Sequence, residues 1–108
     1  MTTMTPERDE TAPAAPPMPD SISLDVAIVR DVGLHAALYH AYLLEALQGA
    51  EPDADGWYTM PIEYVVRDAT YLSRKGQAAC RDQLYIARLV EFRREPGIGG
   101  RMKLRFMR

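Results

Sequence analysis

Cations late in the chain supply most of the chemistry this sequence could do with another molecule. Set on a helix at roughly 100° per residue, Arg74, Ala78, Arg81 and Tyr85 cluster on one side of residues 73–87, flanked by Lys75 and Asp82. Ser73, Gln77, Cys80, Leu84 and Ala87 fall on the opposite arc, which must face a core. A guanidinium can hold a guanine edge or a phosphate through paired hydrogen bonds, an ammonium can hold a phosphate, and a phenol can donate to a backbone oxygen. A second group, Arg93, Arg94, Arg101, Lys103 and Arg105, lies in two segments with strand character. Phosphate contacts made from there would carry little sequence information.

Other chemistries lack their residues. No paired carboxylates and no Ser/His/Asp set stand out, so no enzyme is expected. His35 and His40 are five residues apart and diverge on a helix, without the spacing of four that a zinc pair needs, so neither a metal nor a cofactor is expected. Cys80 is the single cysteine, which excludes an internal disulfide and reads as a small core residue. Gly97-Ile98-Gly99-Gly100 follows a strand but leads into another strand, so no helix N-terminus is available to hold a phosphate. It reads as the tip of a hairpin. Gly76 costs roughly 1 kcal/mol in a helix relative to alanine, and either a close approach by phosphate or by the preceding helix, or simple tolerance in a first turn, accounts for it.

The charge is divided along the chain. Residues 1–54 hold 2 basic and 9 acidic side chains, whereas residues 55–108 hold 11 basic and 6 acidic ones. The overall net charge of −2 conceals this asymmetry, which suits a domain with one side facing phosphates. A length of 108 residues bounds the chain to one domain. No apolar run approaches a bilayer span and no targeting leader is evident, so a cytoplasmic, nucleoid-associated protein is expected, with no membrane partner.

The elements that must position these cations are legible in outline. Residues 1–21 contain five of the eight prolines and almost no apolar side chains, which reads as a disordered acidic tail before a domain at 22–108. Ile22, Leu24, Val26 and Ile28 alternate as in a short strand, although Ile28-Val29 also suits a helix entry. Asp31 is a plausible N-cap for a long helix over Leu34–Gln48, ended by Gly49 with Pro52 beyond. Leu34, Ala37, Leu38, Ala41 and Leu44 form one stripe of that helix, with Ala36, Leu43 and Leu47 beside it and Tyr39 and Tyr42 on another side. More than one apolar face implies a central helix or a dimer contact. Trp57-Tyr58-Thr59 reads as a strand. Thr59 or Met60 would cap a helix over 62–68, whose Ile62, Val65, Val66 and Ala69 share a face. A turn at 69–72 then leads to Ser73 as the next N-cap. Strands at 90–94 and 101–107 follow, the second alternating Met102, Leu104 and Phe106 with Lys103, Arg105 and Met107. The expected fold is α/β (α+β): a winged helix-turn-helix of three helices and a small antiparallel wing.

Val32-Gly33-Leu34-x-Ala36-Ala37, Gly56-Trp57-Tyr58, Leu72-Ser73-Arg74, Leu84 and Leu89-Val90 resemble the winged-helix domain of phage and plasmid replication proteins, including DnaD-like N-terminal domains. The resemblance covers about residues 26–107. Gln77 and Arg81 stand at positions expected to be aliphatic, and Arg88 replaces a glycine before Leu89. The resemblance implies DNA binding or replisome assembly.

Together these readings give a protein that binds double-stranded DNA in replication initiation or transcriptional control, working as a homodimer through residues 34–47. Arg74, Lys75, Arg81 and Tyr85 would enter or flank the major groove, and Arg93, Arg94, Arg101, Lys103 and Arg105 would set the wing on phosphates. The rival is a protein-interaction module that docks a replication partner through the apolar helix 34–47.

Overall fold

The computed structural model describes residues 20–96 and 101–107. Most of the tail read at 1–21 and the glycine-rich hairpin tip at 97–100 lie outside the described residues. Among these, the elements are helices α1 (Val26–Val32), α2 (Leu34–Ala46), α3 (Glu63–Thr70) and α4 (Arg74–Ile86), with strands β1 (Tyr58–Thr59), β2 (Val90–Arg94) and β3 (Met102–Phe106). The chain is therefore mixed α+β, with four helices rather than three.

The additional helix is α1, where alternation had suggested a strand. The Asp25 carboxylate accepts the Ala27 N–H at 2.8 Å and starts the helix. Its apolar residues then bury with helical spacing: Ile28 and Val29 pack on the core and Val32 is buried within it. Asp31 consequently lies inside α1 rather than capping α2. Gly33 serves as both the end of α1 and the start of α2, with φ 89° and ψ 165°. An added Cβ would meet nothing within 4 Å, so the constraint there is the positive φ itself.

α2 is the central helix. It packs against α1, α3 and α4, and of the several apolar faces that the sequence offered it buries parts of more than one. Tyr39, Tyr42 and Leu43 are 0% exposed, whereas Leu34 and Leu44 are 60% and 48% exposed. Tyrosines reach further than alanines across the gaps between helices, and a buried hydroxyl is tolerated once it finds a partner. Tyr39 finds one in Arg81.

α3 begins without a side-chain cap at Ile62, so neither Thr59 nor Met60 caps it. Met60 is still held in the sheet, its N–H donating to the Met102 carbonyl at 2.9 Å. α3 also runs two residues past the expected end. Thr70 closes it by donating its hydroxyl to the Val66 carbonyl (2.7 Å) and accepting the Leu72 N–H (3.2 Å). Tyr71 then turns the chain at φ 63°, and Ser73 caps α4 by accepting the Gly76 N–H at 3.0 Å. A Cβ on Gly76 would press on that capping Oγ at 3.3 Å, so the nearest neighbour that the glycine accommodates is the cap.

The sheet is antiparallel in the order β1-β3-β2. Leu104 pairs with Tyr58 on one side and Phe92 on the other, and is fully buried. Lys103 and Arg105 alternate with it and point away from the core, as the pattern of β3 required. Arg88, where a glycine was expected, holds φ 59°. Its backbone adopts the left-handed turn that admits the chain to β2, in the conformation glycine takes most easily.

Candidate nucleic-acid interface

α3 and α4 are consecutive helices in contact, joined by the Tyr71–Ser73 turn, and the β2–β3 hairpin follows directly. On α4 the inward arc is Gln77, Cys80 and Leu84, all buried. Gln77 replaces an aliphatic residue without leaving a polar group stranded, because its Nε2 donates to the carbonyls of Leu72 (3.0 Å) and Glu63 (3.2 Å). It thereby ties the start of α3 to the turn before α4. Burial raises the Cys80 thiol above its ordinary pKa, with Arg81 opposing weakly, which suits a packing residue and not a nucleophile.

The outward side chains divide into distinct environments. Arg74 and Lys75 are exposed on the first turn of α4, and neither forms an ion pair among the described residues. Tyr85 is exposed near the far end, eleven residues and so about 16 Å along the axis from Arg74. Arg81 departs from the exposed position expected of it. It is half-buried and donates from its guanidinium to the Tyr39 hydroxyl at 3.3 Å, linking α4 to α2. Desolvation raises the Tyr39 pKa against the opposing pull of Arg81, so the phenol stays protonated at neutral pH.

The hairpin cations separate in the same way. Arg93 and Arg105 stack on Trp57, their guanidinium carbons 4.4 and 4.6 Å from the ring centroid. Arg105 pairs with Glu91 at 2.7 Å, Arg93 with Glu95 at 3.0 Å, and Lys103 with Asp53 at 3.5 Å. Three cations thus meet three carboxylates on the outer sheet face. Arg94 and Arg101 lie elsewhere. With Arg74 and Arg81 they line a cleft of about 480 Å3 between α3, α4 and the tip-proximal end of the hairpin. Arg101 is anchored there by donating to the Met60 carbonyl at 3.0 Å.

Searches against protein-family models, curated proteins and solved structures return no match to this chain. Among the described residues no group of three metal-ligating side chains occurs, and no helix is long and apolar enough to cross a membrane.

Trp57 and Glu63 are the site residues that sequence reasoning missed. Trp57 was read only as strand, although a tryptophan flanked in space by alternating arginines is signalled once the β1–β3 pairing is known. Glu63 gave no signal. Its position in the cleft depends on contacts between segments distant in sequence.

Asp53 makes the outer face sensitive to acid. Its carboxylate accepts the Trp57 N–H (3.0 Å) and the Asp55 N–H (2.9 Å) and meets Lys103. The bond from Trp57 contributes most to holding its pKa below the ordinary aspartate value, with Asp55 and Lys103 adding to it against desolvation. A carboxyl group depressed by folding stabilises fully above its unfolded pKa of about 3.9. That contribution is lost as pH falls through the lower, folded value. Wild type should therefore melt above Asp53→Ala at pH 6, and the gap should begin to narrow below about pH 3.9 and close only below the lower, folded value. A gap independent of pH would assign the effect to packing.

Proposed function

We propose that this chain is a winged helix-turn-helix protein that binds double-stranded DNA, with α4 in the major groove and the tip-proximal end of the hairpin against phosphates. One observation carries the reading. Arg74, which has no carboxylate partner among the described residues, lines a cleft with Arg94 and Arg101 of the tip-proximal end of the hairpin, and Lys75, equally unpaired there, is exposed beside it in the sequence. A helix-turn-helix followed by a hairpin, with positive charge concentrated where the two meet, suits a helix entering a groove beside a phosphate-bound wing. In this reading Tyr85 contacts the backbone at the far end of α4, and Arg81 supports the helix through Tyr39 while facing the cleft. Arg93, Lys103 and Arg105 reach phosphate by exchanging their acidic partners. Exposed ion pairs of that kind contribute only about 0–1 kcal/mol. Control of replication initiation or of transcription is the role that fits such a module.

Exposed Leu34 and Leu44 on α2 favour a second reading, a protein-docking surface or homodimer contact. The two readings separate on salt. Binding of a generic duplex, followed by fluorescence anisotropy, should weaken with salt at a log–log slope of about −3 to −4, as expected for some four phosphate contacts. Lys75→Ala should reduce that slope by about one. Lys103→Ala should reduce it less, because Asp53 already offsets its charge. A wild type with no salt-dependent duplex binding at low ionic strength would shift the case to docking.

A further inference from the structure

The cleft between α3, α4 and the tip-proximal end of the hairpin contains a group that a simple phosphate seat would exclude. Arg74, Arg81, Arg94 and Arg101 line it, and so does Glu63. The Glu63 Oε2 atom is shielded from solvent and accepts no hydrogen bond among the described residues. An orphaned, buried carboxylate oxygen calls for an explanation, and beside four guanidiniums it would repel any anion drawn in by them. The contradiction disappears if the occupant carries both an anionic group and a hydrogen-bond donor. The rest of the lining is Met60, Pro61, Ile62 and Met102, which are apolar, and Gln77, whose amide nitrogen is already held by the Leu72 and Glu63 carbonyls. Guanidiniums suit phosphate oxygens, an apolar wall suits the face of a flat ring, and a carboxylate accepts from a base amine such as cytosine N4. A volume of about 480 Å3 lies within the range of small-ligand pockets.

We propose that this cleft binds a nucleoside phosphate, with the phosphate on the arginines, the base against the methionine wall, and a base or sugar donor on Glu63. The proposal goes beyond the duplex reading and does not need it. The nucleotide comes either from solution or from the end of a strand, and both sources share this chemistry.

The test uses the full chain and calorimetric titration with methyl phosphate and deoxyadenosine monophosphate, which share the phosphate and differ in the nucleoside. The nucleotide should bind at least tenfold tighter, and Arg74→Ala should weaken both ligands. Glu63→Ala should collapse the preference to below about threefold, while retaining the backbone carbonyl that Gln77 holds. Glu63→Gln should keep part of the preference, since an amide oxygen still accepts, and circular dichroism verifies that each variant is folded. A 5′-phosphorylated tetranucleotide binding as tightly as the mononucleotide identifies a strand end as the source, and much weaker binding identifies free nucleotide. Equal binding of methyl phosphate and nucleotide, a preference unchanged in Glu63→Ala, or no binding of either ligand would each overturn the proposal. Salt-dependent duplex binding by the same preparation distinguishes that failure from failure of the duplex reading.

Discussion

Leu43→Lys is expected to abolish cooperative unfolding at 25 °C, whereas Leu44→Lys, one residue on, should melt within a few degrees of wild type. Leu43 is 0% exposed at the centre of the helix that contacts the other three, and Leu44 is 48% exposed. A lysine at 43 loses the apolar burial of leucine and leaves an ammonium with no partner in the core. Disruptions of that kind cost about 4–5 kcal/mol or more. A domain of this size has only about 5–10 kcal/mol of stability in total. Surface substitutions, by contrast, stay within about 0.5 kcal/mol. Thermal melts followed by circular dichroism test the pair, and a cooperative Leu43→Lys melt near that of wild type would contradict the packing of α2. Sedimentation of Leu44→Lys adds the oligomeric question. Conversion of a wild-type dimer to monomer would place the contact on the exposed face of α2, a result Leu43 variants could not give because they do not fold.

Reversing Arg74 and Lys75 together to glutamate should weaken duplex binding by at least about 100-fold at low salt. Each lost contact contributes about 1–3 kcal/mol to binding, and every 1.4 kcal/mol is a factor of ten. The fold should be unaffected. Both side chains are exposed, and carboxylates in the first turn of a helix interact favourably with its dipole, so the melting temperature should hold or rise slightly. Anisotropy with one duplex at a fixed salt concentration measures the loss. An affinity within threefold of wild type would remove α4 from the interface even if duplex binding itself persisted.

The elements were legible in proportion to how local their signals are. Ser73 was readable as a cap because its partner, Gly76, is three residues away. The alternation of Met102, Leu104 and Phe106 gave β3 its inward face for the same reason. α2 was readable as a helix but not in its orientation, since apolar residues surround it and periodicity cannot choose among several greasy faces. The tyrosines took the centre because their size fills the space between helices, a fact about neighbours not present in the segment. α1 was hidden because Ile22, Leu24, Val26 and Ile28 fit alternation, while the decisive residue, Asp25, acts through one hydrogen bond. At the candidate site the list of cations was readable, but their grouping was not. The pairing of Lys103 with Asp53, and the hydrogen bond from Arg101 to the Met60 carbonyl, join segments tens of residues apart.

The order of strands also governs when this molecule can assemble. β3 is the middle strand of the sheet yet follows both of its neighbours in the chain. During synthesis, therefore, β1 and β2 emerge from the ribosome with their hydrogen-bonding edges unmatched, and only residues 102–106 satisfy both at once. The helices, with mostly nearby contacts, can form beforehand; the sheet closes last, over the long loop between residues 58 and 104. Until then Trp57 lacks Arg105 above its ring, and a nascent chain has α3 and α4 without the hairpin that packs beside them.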